Sequence, residues 1–127
     1  MEQVKKYIQL YTKLLDLNGS ISYTEAETRA SEFLSALATL ADYKHMFSEQ
    51  KIKATSLQSA VYAEEMSKGE FKTMTENKLH VEASSAFVTA RENLERIEND
   101  ISYLKAHMDI FLNAHLFYRQ MARGQNE

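Results

Sequence analysis

From Ala83 to Met121 the chain repeats apolar residues at every seventh position, and no proline or glycine interrupts it. One row is Ala83, Ala90, Ile97, Leu104, Phe111 and Tyr118; its companion is Phe87, Leu94, Ile101, Met108 and His115. A repeat of seven held over this length specifies a helix with a left-handed coiled-coil seam rather than an ordinary surface helix. One apolar seam in water does not hold a helix together, because most helical stability comes from packing that face against something. The seam therefore needs a partner.

The partner lies upstream. Phe33, Leu40, Phe47, Ala54 and Val61 form a second row of sevens. Its companion, Ala30, Leu37, Lys44, Lys51 and Gln58, turns polar after Leu37. Ser22-Tyr23-Thr24-Glu25 and Thr73-Met74-Thr75-Glu76 have the S/T-x-x-E spacing of capping boxes, and Ser67-Lys68-Gly69 breaks the pattern between them. A shorter stripe, Val4, Ile8, Tyr11, Leu14 and Leu15, precedes Asn18-Gly19, where glycine suits a helix C-terminus. These signals predict an all-α chain, a single helical domain over residues 1–127. Helix one runs over about 2–18, helix two over about 23–66 and helix three over about 74–121. The short connection makes the two long helices an antiparallel hairpin with coiled-coil-like packing. A turn centred on Lys68-Gly69 sets Phe33 opposite Leu104, Leu40 opposite Ile97, Phe47 opposite Ala90 and Ala54 opposite Ala83.

In that register the end of helix three outruns its partner. Phe111, His115, Leu116, Phe117 and Tyr118 need other cover. Helix one supplies part of it. A thin helical protein has little interior, so the rest is expected to be a homo-oligomer interface. His115, a lone polar group on the seam, either bonds to a neighbour near the open end or specifies register and oligomer state.

Composition excludes several chemistries. Without cysteine there is no disulfide and no thiolate, which is compatible with an intracellular setting. The N-terminal MEQVKKYIQLYTKLLDL is interrupted by charge and does not read as a signal peptide. No run of residues is long and apolar enough to span a membrane, so no membrane partner is expected. The three glycines, Gly19, Gly69 and Gly124, form no phosphate loop, and the four histidines show no zinc-ligand spacing. No catalytic residue, metal or other cofactor is expected, and the chain reads as non-enzymatic. Its formal charge of −3 leaves nucleic-acid binding dependent on a local basic patch.

One such patch lies on helix two. Lys44, Ser48, Lys51, Thr55, Gln58, Ser59 and Tyr62 follow one another at three- and four-residue steps, with Lys53 nearby on another face. Lysines and hydroxyls at this spacing suit successive phosphates, and a tyrosine ring suits a base. The plainer reading of the spacing is that the lysines snorkel from the edge of the hairpin seam. The candidate nucleic-acid-binding residues are Lys44, Lys51, Lys53, Thr55, Ser59 and Tyr62.

SEQKIKATSLQSAVYAEEM (48–66), a glycine-containing break, FKTMTENKLHVEASS (71–85) and the terminal FLNAHLFYRQM (111–121) follow a helical lead-in. Over about residues 24–123 this order resembles the UvsY-type recombination mediator proteins of tailed phages. The resemblance implies a small, all-helical, ring-forming homo-oligomer that binds single-stranded DNA. Its role would be in DNA recombination, helping a RecA-like recombinase displace the single-strand-binding protein, in the cytoplasm (the host's, if phage-encoded). The family's basic stretch falls on Lys51-Ile52-Lys53 through Ser59, but Thr55-Ser56-Leu57-Gln58 lacks the lysine and arginine a typical member carries there. The alternative from another class is a homo-oligomeric coiled-coil adaptor or inhibitor that binds a protein, as phage structural and anti-defence proteins do.

Overall fold

The computed structural model describes residues 1–16, 21–69 and 73–124. Among them the chain is helical almost throughout and has no strand. Helix α1 is Glu2–Thr12, extended by a 3₁₀ turn at Lys13–Asp16. The long helices are α2, Tyr23–Ser67, and α4, Ser85–Arg123, with the ten-residue α3, Met74–Ala83, between them. The expected all-α hairpin of two long helices is what the chain forms. The stop expected at Asn18-Gly19 lies outside the described residues.

Local chemistry sets the ends. The Ser22 hydroxyl accepts from the Glu25 amide at 3.1 Å, and the Thr73 hydroxyl accepts from the Glu76 amide at 3.1 Å. Each satisfies one of the four amides that a helix start leaves without a partner. At the end of α2, Gly69 takes φ +47, a left-handed conformation that costs glycine nothing, and its amide donates to the Met66 carbonyl.

The third helix differs from its expectation as one run from 74 to 121. It breaks at Ser84, whose backbone is extended (φ −65, ψ 144) and whose hydroxyl accepts from the Phe87 amide at 3.3 Å. Ser84 closes α3 and caps α4. Because α3 uses up chain at the turn, the register shifts by about one heptad. From α4, Phe33 meets the rings of Phe111 and Tyr118, which lie one and two heptads beyond its expected partner Leu104.

Tertiary contacts divide the chain into two compact units, Met1–His45 with Ser102–Glu127, and Met46–Ile101. The first unit is built on an aromatic cluster. Phe33 meets Phe111 edge-on at 5.4 Å and stacks on Tyr118 at 5.8 Å, while Tyr11 from α1 lies 6.1 Å from Phe33 and 6.0 Å from Phe111. Phe33, Phe111, Leu40 and Leu104 have no exposed surface. Val4 and Ile8 are the buried residues of α1. The pairing is antiparallel: His115 bonds to Ala30, and Phe111 packs on Phe33. The carbonyl of Leu14, in the 3₁₀ turn that ends the first helix, accepts from Arg29 at 3.0 Å and from the Tyr118 hydroxyl at 3.2 Å. The same guanidinium lies over the Tyr118 ring, 5.7 Å from its centroid.

In the second unit Phe47, Ala54, Ala90 and Ile97 are buried, and Tyr62 meets Phe87 edge-on at 5.5 Å. Val81 of α3 is fully buried, and Asn77 is the buried polar residue beside it. The Asn77 amide nitrogen donates to the Met66 carbonyl at 3.1 Å, tying α3 to the last turn of α2.

Two outcomes follow for the first unit. Phe33→Ala should cost about 3–5 kcal/mol, read as a fall in the urea midpoint, because a fully buried ring leaves a cavity. Tyr11 has its pKa pushed up to about 12 from 10.0, first by a hydrogen bond with Tyr7 and then by burial. A raised phenol pKa stabilises the fold while the unfolded tyrosine is still protonated. This contribution should therefore be intact below pH 10.0 and be lost as pH rises to about 12. Thermal melts of Tyr11→Phe should show a shallower alkaline loss than wild type over that window.

Candidate nucleic-acid interface

The six candidate residues all lie on α2, in different surroundings. Lys44 is half-buried and belongs to the first unit. Lys51, Lys53, Thr55 and Ser59 are exposed in the second unit, and Tyr62 is half-buried against Phe87. At about 100° per residue, Lys51 and Lys53 point about 200° apart around the helix, so they cannot serve one strand together. Lys51, Thr55, Gln58, Ser59 and Tyr62 share one face. Neither Lys51 nor Lys53 forms an ion pair among the described residues.

The hydroxyls differ too. Thr55 donates its hydroxyl hydrogen to the Lys51 carbonyl at 2.8 Å. While that bond holds, Thr55 has no hydrogen for a phosphate oxygen. Ser59 makes no such bond among the described residues and keeps its donor.

A residue absent from the candidate set joins this face. A groove of 390 Å³ is lined by Gln58, Ser59 and Tyr62 from α2, Lys78 and Glu82 from α3, and Phe87 from α4. Lys78 reaches the groove because α3 is a separate helix, pinned by the Thr73 cap, the Asn77–Met66 bond and buried Val81. The sequence signal was the Ser84-Ser85 pair before a long helix. It lacks the acidic third residue of a capping box, so it reads as part of a continuous helix.

Charge is spread unevenly. The second unit carries seven lysines and arginines against ten acidic residues, whereas the first carries eight of each. The whole deficit thus falls on the unit that holds Lys51 and Lys78. Phosphate binding there rests on local contacts working against the unit's net charge.

The expected oligomer face is partly consumed within the chain. Phe111 is fully buried and Tyr118 nearly so. The Nδ1 of His115 lies 2.7 Å from the Ala30 carbonyl, which can only accept, so Nδ1 carries the hydrogen. That bond to a neighbour satisfies the seam histidine locally. Leu116 and Phe117 remain at the surface, 48% and 58% exposed.

Among the described residues no group of histidines and acids is placed to hold a metal ion, and no helix is long and apolar enough to cross a membrane. No protein-family model, curated protein sequence or solved structure matches the chain.

Asn77 positions the α3 side of the groove. Asn77→Ala should cost about 1–3 kcal/mol, because it removes a part-buried hydrogen bond. Hydrogen exchange should accelerate in α3 while the central turns of α4 stay protected.

Proposed function

We propose that this chain is a non-enzymatic recombination mediator, which binds single-stranded DNA as a homo-oligomer and helps load a RecA-like recombinase in place of the single-strand-binding protein. The observation that carries this reading is the mixed face of the second unit. There Lys51 and Ser59 are exposed, and Gln58, Ser59 and Tyr62 share a groove with Lys78. Each group has a task. The two ammonium groups meet phosphates, Ser59 donates to a phosphate oxygen, Gln58 pairs with a base edge or sugar, and the accessible part of the Tyr62 ring takes a base by stacking. Thr55, as an acceptor, and Lys44 and Lys53, on other parts of α2, are secondary.

Two lysines on an acidic unit bind weakly. Repetition around an oligomer multiplies weak contacts by raising the effective concentration at each further site. Weak individual contacts also suit a mediator, because DNA can pass to a recombinase one protomer at a time. Such work belongs in the cytoplasm, the host's if the chain is phage-encoded.

A second reading is an oligomeric adaptor that binds a protein. It is favoured by the net negative charge of the second unit and by exposed Leu34, Leu116 and Phe117 in the first.

Salt separates the two. Affinity for a fluorescent single-stranded oligonucleotide should fall steeply as salt rises. Lys51→Ala with Lys78→Ala should weaken binding and flatten the log–log salt slope by about 0.7 for each phosphate no longer neutralised. Lys53→Ala should change the slope less, and helicity should be unchanged in both variants. An unaltered slope in the double variant would move the site elsewhere. No binding by wild type at low salt would leave the adaptor reading.

A further inference from the structure

Helix α1 covers one flank of the first unit, where Tyr11 touches Phe33 and Phe111. A second groove, of 340 Å³, has no α1 residue in its lining. Its walls and floor include Glu27, Ala30 and Leu34 from α2 and His115, Arg119 and Arg123 from α4. Leu34 is 54% exposed, and Leu116 sits beside Arg119 and Arg123 in the adjoining depression. Leu34 gives the groove one apolar contact beside its charged groups.

The polar groups of this groove are uncommitted. Arg119 and Arg123 stand one helical turn apart, and neither forms an ion pair or hydrogen bond among the described residues. Glu27 across the groove is likewise without a partner among them. His115 spends Nδ1 on the Ala30 carbonyl, so only its Nε2 can reach a ligand.

We propose that this groove binds a short acidic–apolar peptide segment of another protein. The segment's apolar side chains sit on Ala30 and Leu34, and its carboxylates pair with Arg119 and Arg123. A guanidinium binds a carboxylate through two parallel hydrogen bonds, and two exposed arginines one turn apart offer two such forks to one segment. Glu27 selects against the other polyanion at hand. A phosphodiester chain offers only acceptors and repels the carboxylate, whereas a peptide backbone brings N–H donors that Glu27 and His115 Nε2 can accept. The volume accommodates a few side chains, so the occupant is a linear segment rather than a folded domain. This site is distinct from the Lys51–Lys78 face and does not depend on it.

The test is fluorescence anisotropy with a short labelled peptide rich in aspartate and leucine, against a control in which asparagine replaces each aspartate. Wild type should bind the acidic peptide. Arg119→Gln with Arg123→Gln should weaken it by about tenfold or more. Leu34→Ser, at an exposed position, should also weaken it, with helicity unchanged in both variants. Oligonucleotide affinity should be the same for the double arginine variant as for wild type. Absence of peptide binding by wild type, or equal binding of the asparagine control, overturns the proposal. A similar loss of oligonucleotide affinity in the arginine variant would put phosphate in the groove and overturn it too. So would a fall in sedimentation mass, which would mean that a second copy occupies the site.

Discussion

Phe33 touches three aromatic rings from two other elements, and that contact sets α1 and α4 against α2 in the first unit. Tyr11 reaches it from α1, and Phe111 and Tyr118 reach it from α4. It stacks on Tyr118, meets Tyr11 and Phe111 at steep angles, and has no exposed surface. Sliding α4 by one turn would bring a different set of side chains to this layer and strip the ring of its partners. Polar bonds lock the same register. His115 donates to the Ala30 carbonyl, and Tyr118 and Arg29 together close the carbonyl of Leu14. Such bonds add little net energy when formed, yet breaking one in a part-buried place leaves a costly unpaired group. They therefore discriminate between registers more than they stabilise any one of them.

The helices were legible because their causes are local. Period-seven rows, the Ser22 and Thr73 caps and the Gly69 turn each act within a few residues, and all appear where the sequence put them. The register was not legible, because it depends on how much chain the turn consumes. Ser84 decides that by ending one helix and starting the next, and nothing acidic three residues on announces it. His115 shows the same division. Its seam position was visible in the repeat, while its partner lies 85 residues away in sequence.

The candidate site was half legible for a related reason. Helical spacing alone separates Lys51 from Lys53 and gathers Lys51, Gln58, Ser59 and Tyr62. Lys78 joins them only because α3 folds back over the end of α2, a tertiary event held by Asn77 and Val81. The shift of Phe111 and Tyr118 from a proposed interface into the core follows from the register, which hands both rings to Phe33. Leu116, Phe117 and Leu34 stay at the surface of the unit, as do Ile110, Leu112, Leu10 and Tyr23.

In the proposed binding mode, single-stranded DNA lies along one face of α2 and across to α3. Lysine footprinting by mass spectrometry tests it directly, with amine labelling compared in the absence and presence of an oligonucleotide at low salt. Lys51 and Lys78 should be protected, with Lys53 and Lys105 labelled as before. Protection of Lys53 in place of Lys51, or labelling unchanged at every lysine, would contradict it.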